Sequence, residues 1–579
     1  MHKKLLKLLV IVFLLSRYLT LYAAGTAEQD LGGQLLKQIE QERQIVKPLT
    51  KPPTAQPEEK DQLQDQGPKI KIKHFIFEGN QLITSLELEK YLSAYLSREL
   101  SLNELKLAVN TIANFYQEKG YLAQATLPKQ DVTEGDVRIM IIEAKFGGVR
   151  IEAEDKANLH VKEDVIQKFI EANNPKGKAF NLTQIDRGLI LLNGLPGISV
   201  EANLQAGQNE GETESVLKVK NRNWLSGNAT VDNWGSHSTG GQRFVGSLNI
   251  ASPLRIGDKG DVTYLHSRGS DYIRLAYNLP IGYQGLRVGV NSSALAYDVV
   301  PERDTSGKNA RGHSSTYEVE MSYPIYRSKQ MNLNMESSFE RKYFLNKDDT
   351  GTQSKNDDDI LSAGLSGNIV NNWFVGGQTN ASLNLDIAKL DRKSVGTNLT
   401  GDQGSHGART NGRWNRIRWN MNHTQFIQND LSAVIKANGQ FSDSNLDSSE
   451  KLYLGGASGV RAYPASEGSG SMGYILNAEL RKELPRNFTL TGFYDFAYAT
   501  QYVDNTDSLG STVTTGATRN AFNLKGYGLS VDWRGPYNSA VSAIWAKRIG
   551  TNPNPATNGS DSDGSHKDNF LWLKASLSF

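Results

Sequence analysis

The chain has 579 residues, 54 of them Gly, 23 Tyr and none Cys, with 64 Lys and Arg against 62 Asp and Glu. The lack of thiols excludes disulfides, thiolate metal sites and cysteine nucleophiles, so the fold must rest on burial and backbone pairing. A net charge of +2 gives no reason to expect a nucleic-acid partner.

At the start, Lys3, Lys4 and Lys7 precede an apolar run from Leu8 to Leu15, and Ala23, Ala24 and Gly25 follow. A basic head, a short apolar stretch and small residues read as an export signal over residues 1–25. Nowhere later do about 18 apolar residues run together, which argues against helical membrane spans. A mean hydropathy of -0.48 remains compatible with a transmembrane barrel, whose strands alternate lipid-facing and lumen-facing residues.

In residues 26–46, Leu31, Leu35, Leu36, Ile39 and Val46 recur at roughly helical spacing among Gln, Glu, Lys and Arg, which predicts one amphipathic helix. Pro48, Pro52, Pro53, Pro57 and Pro68 then punctuate a polar tether over 47–69. From 70 to 146 the pattern predicts a strand, two helices and two strands, and from 147 to 222 that β-α-α-β-β order recurs. Either module could capture an extended chain by strand addition along Ile198 to Gln205 or Leu122 to Leu127.

From 223 to 579 the composition turns to Gly, Tyr, Asn and Ser with alternating segments. In the last segment Leu571, Leu573, Ala575, Leu577 and Phe579 share one face, and Trp572, Lys574, Ser576 and Ser578 the other. The length suits an even-numbered barrel of about sixteen antiparallel strands, about 22 residues for each strand with its connection, enough for strands of roughly 10 residues plus loops. The fold class expected is thus two α+β modules followed by an all-β transmembrane barrel. The stretches LNKDDTGTQSKNDDD and NPNPATNGSDSDGSHKD look too polar for a barrel face and are expected to be surface loops. Their acidic clusters read as solvated charge, because the loop position a calcium-binding Glu would fill from Asp561 holds Trp572. No G-x-S-x-G elbow, Walker loop or paired-His zinc helix occurs, so neither enzyme activity nor a cofactor or metal is expected.

Several motifs carry a family resemblance. Tyr116, Gly120, Tyr121, Leu127, Pro128, Gln130 and Glu143 stand where POTRA domains of two-partner secretion transporters carry their signatures, with Ala144 in place of a Gly. Asp186 to Leu189 and Leu192 to Gly197 resemble the second module's approach to a Pro-Gly turn. Glu450, Leu454 to Gly456 and Val460, Arg461, Ala462 and Tyr463 resemble the sixth-loop motif of the Omp85 superfamily, Ala462 replacing Gly. Phe493 to Ala497 resembles its strand motif, again with Ala for Gly at Ala497.

The resemblance implies a transporter similar to haemolysin or filamentous-adhesin secretion proteins, lodged in a bacterial outer membrane with its POTRA domains in the periplasm. It implies a plug helix, a loop-6 gate whose Arg461 meets Asp495 on the barrel wall, and Phe579 as a C-terminal assembly signal. The partners implied are a large secreted protein, β-helical in character, outer-membrane lipid, and the barrel-assembly machinery during biogenesis. The alternatives are a barrel-assembly insertase of the same superfamily or, from another class, a barrel-borne receptor or enzyme. Ala disfavours positive φ, so the two replacements raise the question of whether the backbone must relax there.

Overall fold

The computed structural model describes residues 31–43, 69–132, 134–304, 307–514, 518–556 and 558–579. The expected export signal, Val46 and nearly all of the Pro-rich tether lie outside them.

In the first module the strand His74–Glu78 runs parallel to Asp136–Glu143, and Ala123–Thr126 pairs antiparallel on its other side. Alternation decides the faces: Val137, Ile139 and Ile141 point into the core and their neighbours outward. The helices Ser85–Tyr91 and Leu102–Glu118 each begin with a reciprocal capping box, Thr84 with Glu87 and Ser101 with Glu104. The longer helix buries Leu105, Ala108, Val109, Ile112 and Tyr116, spaced three or four residues apart. A two-stranded ladder, Lys69–Lys71 with Glu99–Ser101, adds to the expected pattern.

The motif residues of this module have structural tasks. Glu143 accepts the Tyr116 hydroxyl and the backbone N–H groups of Gln81 and Leu82, each at 2.8 Å. Burial and that carboxylate push the Tyr116 hydroxyl well above its ordinary pKa. Gln130 both donates to and accepts from the backbone of Arg138 at 2.6 Å, continuing the ladder where the neighbouring strand has ended.

The second module repeats the plan with strands Lys145–Glu152, Ile198–Ala206 and Glu212–Asn221 and helices Glu163–Glu171 and Leu182–Asn193. Only Ala144 separates the sheets of the two modules. Backbone bonds from Leu182 to Gly120 at 2.8 Å and from Leu122 to Phe180 at 3.3 Å stitch one module to the next, and Phe180 also bonds Ala144 between them at 2.7 Å.

Sixteen antiparallel strands, from Leu225–Asp232 to Asn569–Ser578, close into a barrel. The seam is short: Lys574 to Ser578 pair with Asn228 to Asp232, after which Phe579 and Gly227 exchange two backbone bonds of 3.0 Å. A Cβ at Gly227 would lie 2.4 Å from the Phe579 ring, so the absence of a side chain seats that ring.

The polar stretch Leu345 to Asp359 is not a surface loop. It lies in the strands Met331–Asp348 and Gly351–Asn371, joined by a tight turn. Cross-strand pairing explains how so polar a sequence holds: outward-facing Arg341 stands opposite Asp359, and inward-facing Lys342 opposite Asp358. Asp358 is fully buried rather than solvated, and Asp561 in the last loop is likewise buried, bonded by Arg548 and Asn552.

The second module packs directly on periplasmic turns of the barrel. Arg255 donates to the carbonyls of Leu159 and Ala157 at 3.0 Å, and Arg187 to that of Pro324 at 2.8 Å. Ile256 and Tyr283, both from barrel turns, join the module's apolar core, Tyr283 edge-on to Phe169. All sixteen strands follow residue 222, so a fragment beginning at Asn223 is expected to retain the fast-migrating folded form in unheated SDS gels. Having lost the module that covers Ile256 and Tyr283, it should unfold at a temperature several degrees lower. Loss of the folded form, or an unchanged transition, would contradict this account of the joint.

Candidate functional site

Between the strands Leu431–Ser442 and Met472–Leu484 the chain turns inward instead of outward. A short ladder, Leu452–Tyr453 with Ser469–Gly470, directs the intervening residues into the lumen. There Leu454, Val460, Ala462 and Tyr463 are buried against Ile475, Phe493, Ala497, Leu524 and Trp572 of the wall. The turn is tight enough to require glycine: a Cβ at Gly459 would lie 2.1 Å from the Leu454 carbonyl oxygen.

Arg461 sits at the tip. Its Nε and Nη2 donate to the two oxygens of Asp495 at 2.9 and 2.7 Å, and its backbone N–H donates to Asp495 at 3.0 Å. Its Nη1 reaches Glu479 at 3.0 Å, and its guanidinium lies 3.5 Å from the Phe493 ring centre. Asn477 donates to Asp495 at 2.8 Å, and the Trp572 indole donates to the Arg461 carbonyl at 2.8 Å. A planar fork is thereby held on both edges, on one face and through its backbone, an arrangement that an ammonium could not occupy. Tyr463 stacks under the guanidinium of Arg548.

The two Gly-to-Ala positions cause no backbone strain, since neither Ala462 nor Ala497 has positive φ. Room for the Ala462 methyl comes from the wall strand beside Asp495: a Cβ at Gly526, directly opposite Asp495 in the ladder, would meet it at 2.5 Å. Nothing in the local sequence around residue 526 announces this pairing.

The helix Leu31–Arg43 also lies in the lumen. Leu31, Leu35, Leu36 and Ile39 pack on Leu265, Tyr272, Leu295, Tyr297 and Phe344 of the wall. Gly32 and Gly33 allow close approach, because Cβ atoms there would lie 2.9 Å from Asn346 and Ser449. The polar face carries the ionic contacts. Lys37 reaches Glu450 at 3.2 Å, Glu40 reaches Lys342 at 3.2 Å, and Glu42 reaches Arg243 at 2.8 Å. Gln38 accepts from Ser466 of the inward loop at 3.1 Å. Glu450 is the hub: besides Lys37 it binds Lys342 at 2.9 Å and Arg416 at 2.8 Å, and Arg416 continues to Asp386 at 2.9 Å.

Cavities remain in the barrel beside the helix and the loop. One of about 660 Å³ is lined by Glu318, Glu336, Asn380 and Asn384, and another of about 420 Å³ by Lys436, Arg461, Arg481 and Lys574. The lumen thus combines polar cavities with apolar wall patches that seat the helix and the loop, and both elements are also held through ionic and hydrogen-bond contacts that can be exchanged for water.

On the periplasmic side both segments proposed for strand addition are sheet edges, and each is partly occupied. Asn193 bonds the outward backbone N–H and C=O of Val200 at 2.9 and 2.8 Å, and the Leu122 N–H is taken by Phe180. Ala202 and Leu204, next in the alternation, face outward with Val200.

The model for haemolysin secretion/activation proteins of the ShlB/FhaC/HecB type matches residues 211–518, and that for the ShlB-type POTRA domain matches residues 70–144. The chain belongs to this family. Family membership makes it an outer-membrane transporter, not an enzyme, that secretes partner proteins by means of its POTRA domains and barrel. Among similar proteins is the heme/hemopexin transporter protein HuxB of Haemophilus influenzae, 25% identical over 511 residues, covering 86% of this chain and 85% of that one. Another is the outer membrane transporter CdiB of Escherichia coli, 23% identical over 478 residues, covering 79% and 76%. The solved structure of CdiB from Escherichia coli superposes with a TM-score of 0.70 at 19% identity, covering 96% of this transporter and 100% of that chain. That likeness extends over the modules as well as the barrel.

Proposed function

We propose that the helix Leu31–Arg43 and the loop bearing Val460, Arg461, Ala462 and Tyr463 act as one gate for a large secreted partner protein of β-helical character. The observation that carries this reading is that the two elements hold each other, through Gln38 with Ser466, while both occupy the lumen. Arg461 and Asp495 anchor the loop to the wall, and Phe579 at the seam serves as the signal read by the barrel-assembly machinery. The modules present an extended chain to the barrel by strand addition along the open backbone from Ala202. Folding of the partner at the cell surface then draws the chain outward.

Deletion of residues 27–46 is the direct test. With the helix gone and the loop left without Gln38, single-channel conductance in planar bilayers is expected to rise several-fold. Conductance equal to that of the intact protein, at equal levels of folded barrel, would refute the gate.

A further inference from the structure

Four neighbouring strands, Met331–Asp348, Gly351–Asn371, Gly377–Arg392 and Gly412–Gln428, carry an apolar surface on their outer side. Phe339, Leu361 and Ile387 stand opposite one another across three of them, each about half exposed, and Ile417 lies opposite Leu385. The far end of these strands is extracellular, because their near end lies beside Pro324 of the preceding strand Arg311–Arg327, which pairs with Asn334 and touches the second POTRA module. Toward that far end the outward row changes to Arg341, Asp359, Lys389 and Arg413, paired in that order. At about 3.3 Å per residue, Lys389 stands about 7 Å beyond Ile387 and Arg413 about 13 Å beyond Ile417, where acyl chains give way to head groups.

The charges in this region are unevenly matched. Arg341 grips Asp359 through two contacts of 2.5 and 2.6 Å, and Lys393 bonds Asp357 and Asp391. Lys389 and Arg413 are both exposed and directly opposite each other on adjacent strands, with no hydrogen bond or ion pair among the described residues. Lys389 also stands opposite Asp359, whose two oxygens Arg341 already takes, and Arg413 has no such carboxylate opposite it. Directly opposed like charges destabilise a ladder, and an anion between them reverses the sign of that interaction. Arginine adds a planar fork suited to phosphate oxygens.

We propose that Lys389 and Arg413 bind the phosphate of a phosphorylated lipid head group in the outer leaflet, with the acyl chains of that lipid lying along Ile387, Leu361 and Phe339. The barrel would thereby be held at a fixed height and rotation in an anionic leaflet.

The test compares the purified full-length protein with Lys389→Gln/Arg413→Gln by native mass spectrometry and thermal unfolding in detergent, using diphosphoryl lipid A as the probe. The parent should bind it and unfold at a higher temperature, and the double variant should bind at least about tenfold more weakly, one charge-assisted contact being worth at least that much. Lys389→Arg should bind like the parent. The same lipid stripped of phosphate should bind as poorly to the parent as the intact lipid does to the double variant. Equal binding by parent and double variant, equal binding of the dephosphorylated lipid, or full stabilisation by inorganic phosphate alone would each overturn the proposal. If the double variant does not migrate as a folded barrel, Arg413→Gln alone carries the same comparison.

Discussion

Glu450→Gln is expected to open the lumen more than any other single substitution. The carboxylate is buried and receives Lys37 from the helix together with Lys342 and Arg416 from the wall. Neutralising it strands Lys37 above all, whose other carboxylate Glu40 lies at 3.9 Å, while Lys342 keeps Glu40 and Arg416 keeps Asp386, and breaking a buried charge arrangement from one side costs about 3–5 kcal/mol. The helix can relieve that cost by leaving with Lys37, since Arg416 keeps Asp386 and Lys342 keeps Glu340 when Glu40 departs with the helix. A change of about 3 kcal/mol displaces an equilibrium by about 100-fold, so a channel that is rarely open should become visibly conducting. Lys37→Met separates the causes, because it leaves Glu450 paired with Lys342 and Arg416 and keeps the methylene packing of the lysine. Its conductance should rise much less. If Glu450→Gln gives parental currents while the folded form persists on gels, the latch is not what holds the helix.

The contrast between what the sequence disclosed and what it hid follows from range. The capping boxes at Thr84 and Ser101, the helical spacing from Leu105 to Tyr116 and the alternation from Leu571 to Phe579 are local patterns whose cause and consequence lie within a few residues. The contact between Lys37 and Glu450 spans 413 positions. Lys37 on a polar helix face looks the same whether it meets solvent or a carboxylate in a barrel wall. Gly526 is an ordinary strand glycine until Ala462 is placed against it. Polarity misled in one region: Leu345 to Asp359 has the composition of a loop, yet Asn346, Asp348, Ser354, Asn356 and Asp358 are buried toward the lumen and Asp359 faces Arg341 across the ladder. Alternation there is written in which polar residues are buried rather than in hydrophobicity, and a reading based on apolar periodicity passes over it.

The motif at residues 460–463 was legible as a pattern, but its energetics needed the neighbours. Taken from sequence, Arg461 and Asp495 form a simple pair that an exchange of charges could test. Glu479 removes that option, because Asp at position 461 would be aimed at a second carboxylate 3.0 Å from the lost guanidinium nitrogen. The exchange should fail whether or not the pairing matters.

The informative experiment removes charge instead. In Arg461→Ala, Glu479 keeps Lys436 and Arg481 at 3.1 and 2.5 Å. Asp495 keeps only Asn477 and the backbone N–H of residue 461, and so is the stranded group. Leaving a buried carboxylate in that condition costs about 3–5 kcal/mol, enough to release the loop tip and to lower secretion of the partner protein by more than tenfold while the barrel still inserts. Arg461→Lys should recover little, since an ammonium cannot serve Asp495 and Glu479 together or stack on Phe493. Adding Asp495→Asn to Arg461→Ala removes the stranded charge, and thermal unfolding of the folded barrel should then show recovery of about 1–3 kcal/mol relative to the sum of the single variants. Single effects that add within about 0.5 kcal/mol, in stability and in secretion alike, would mean that loop and wall are not coupled through this pair.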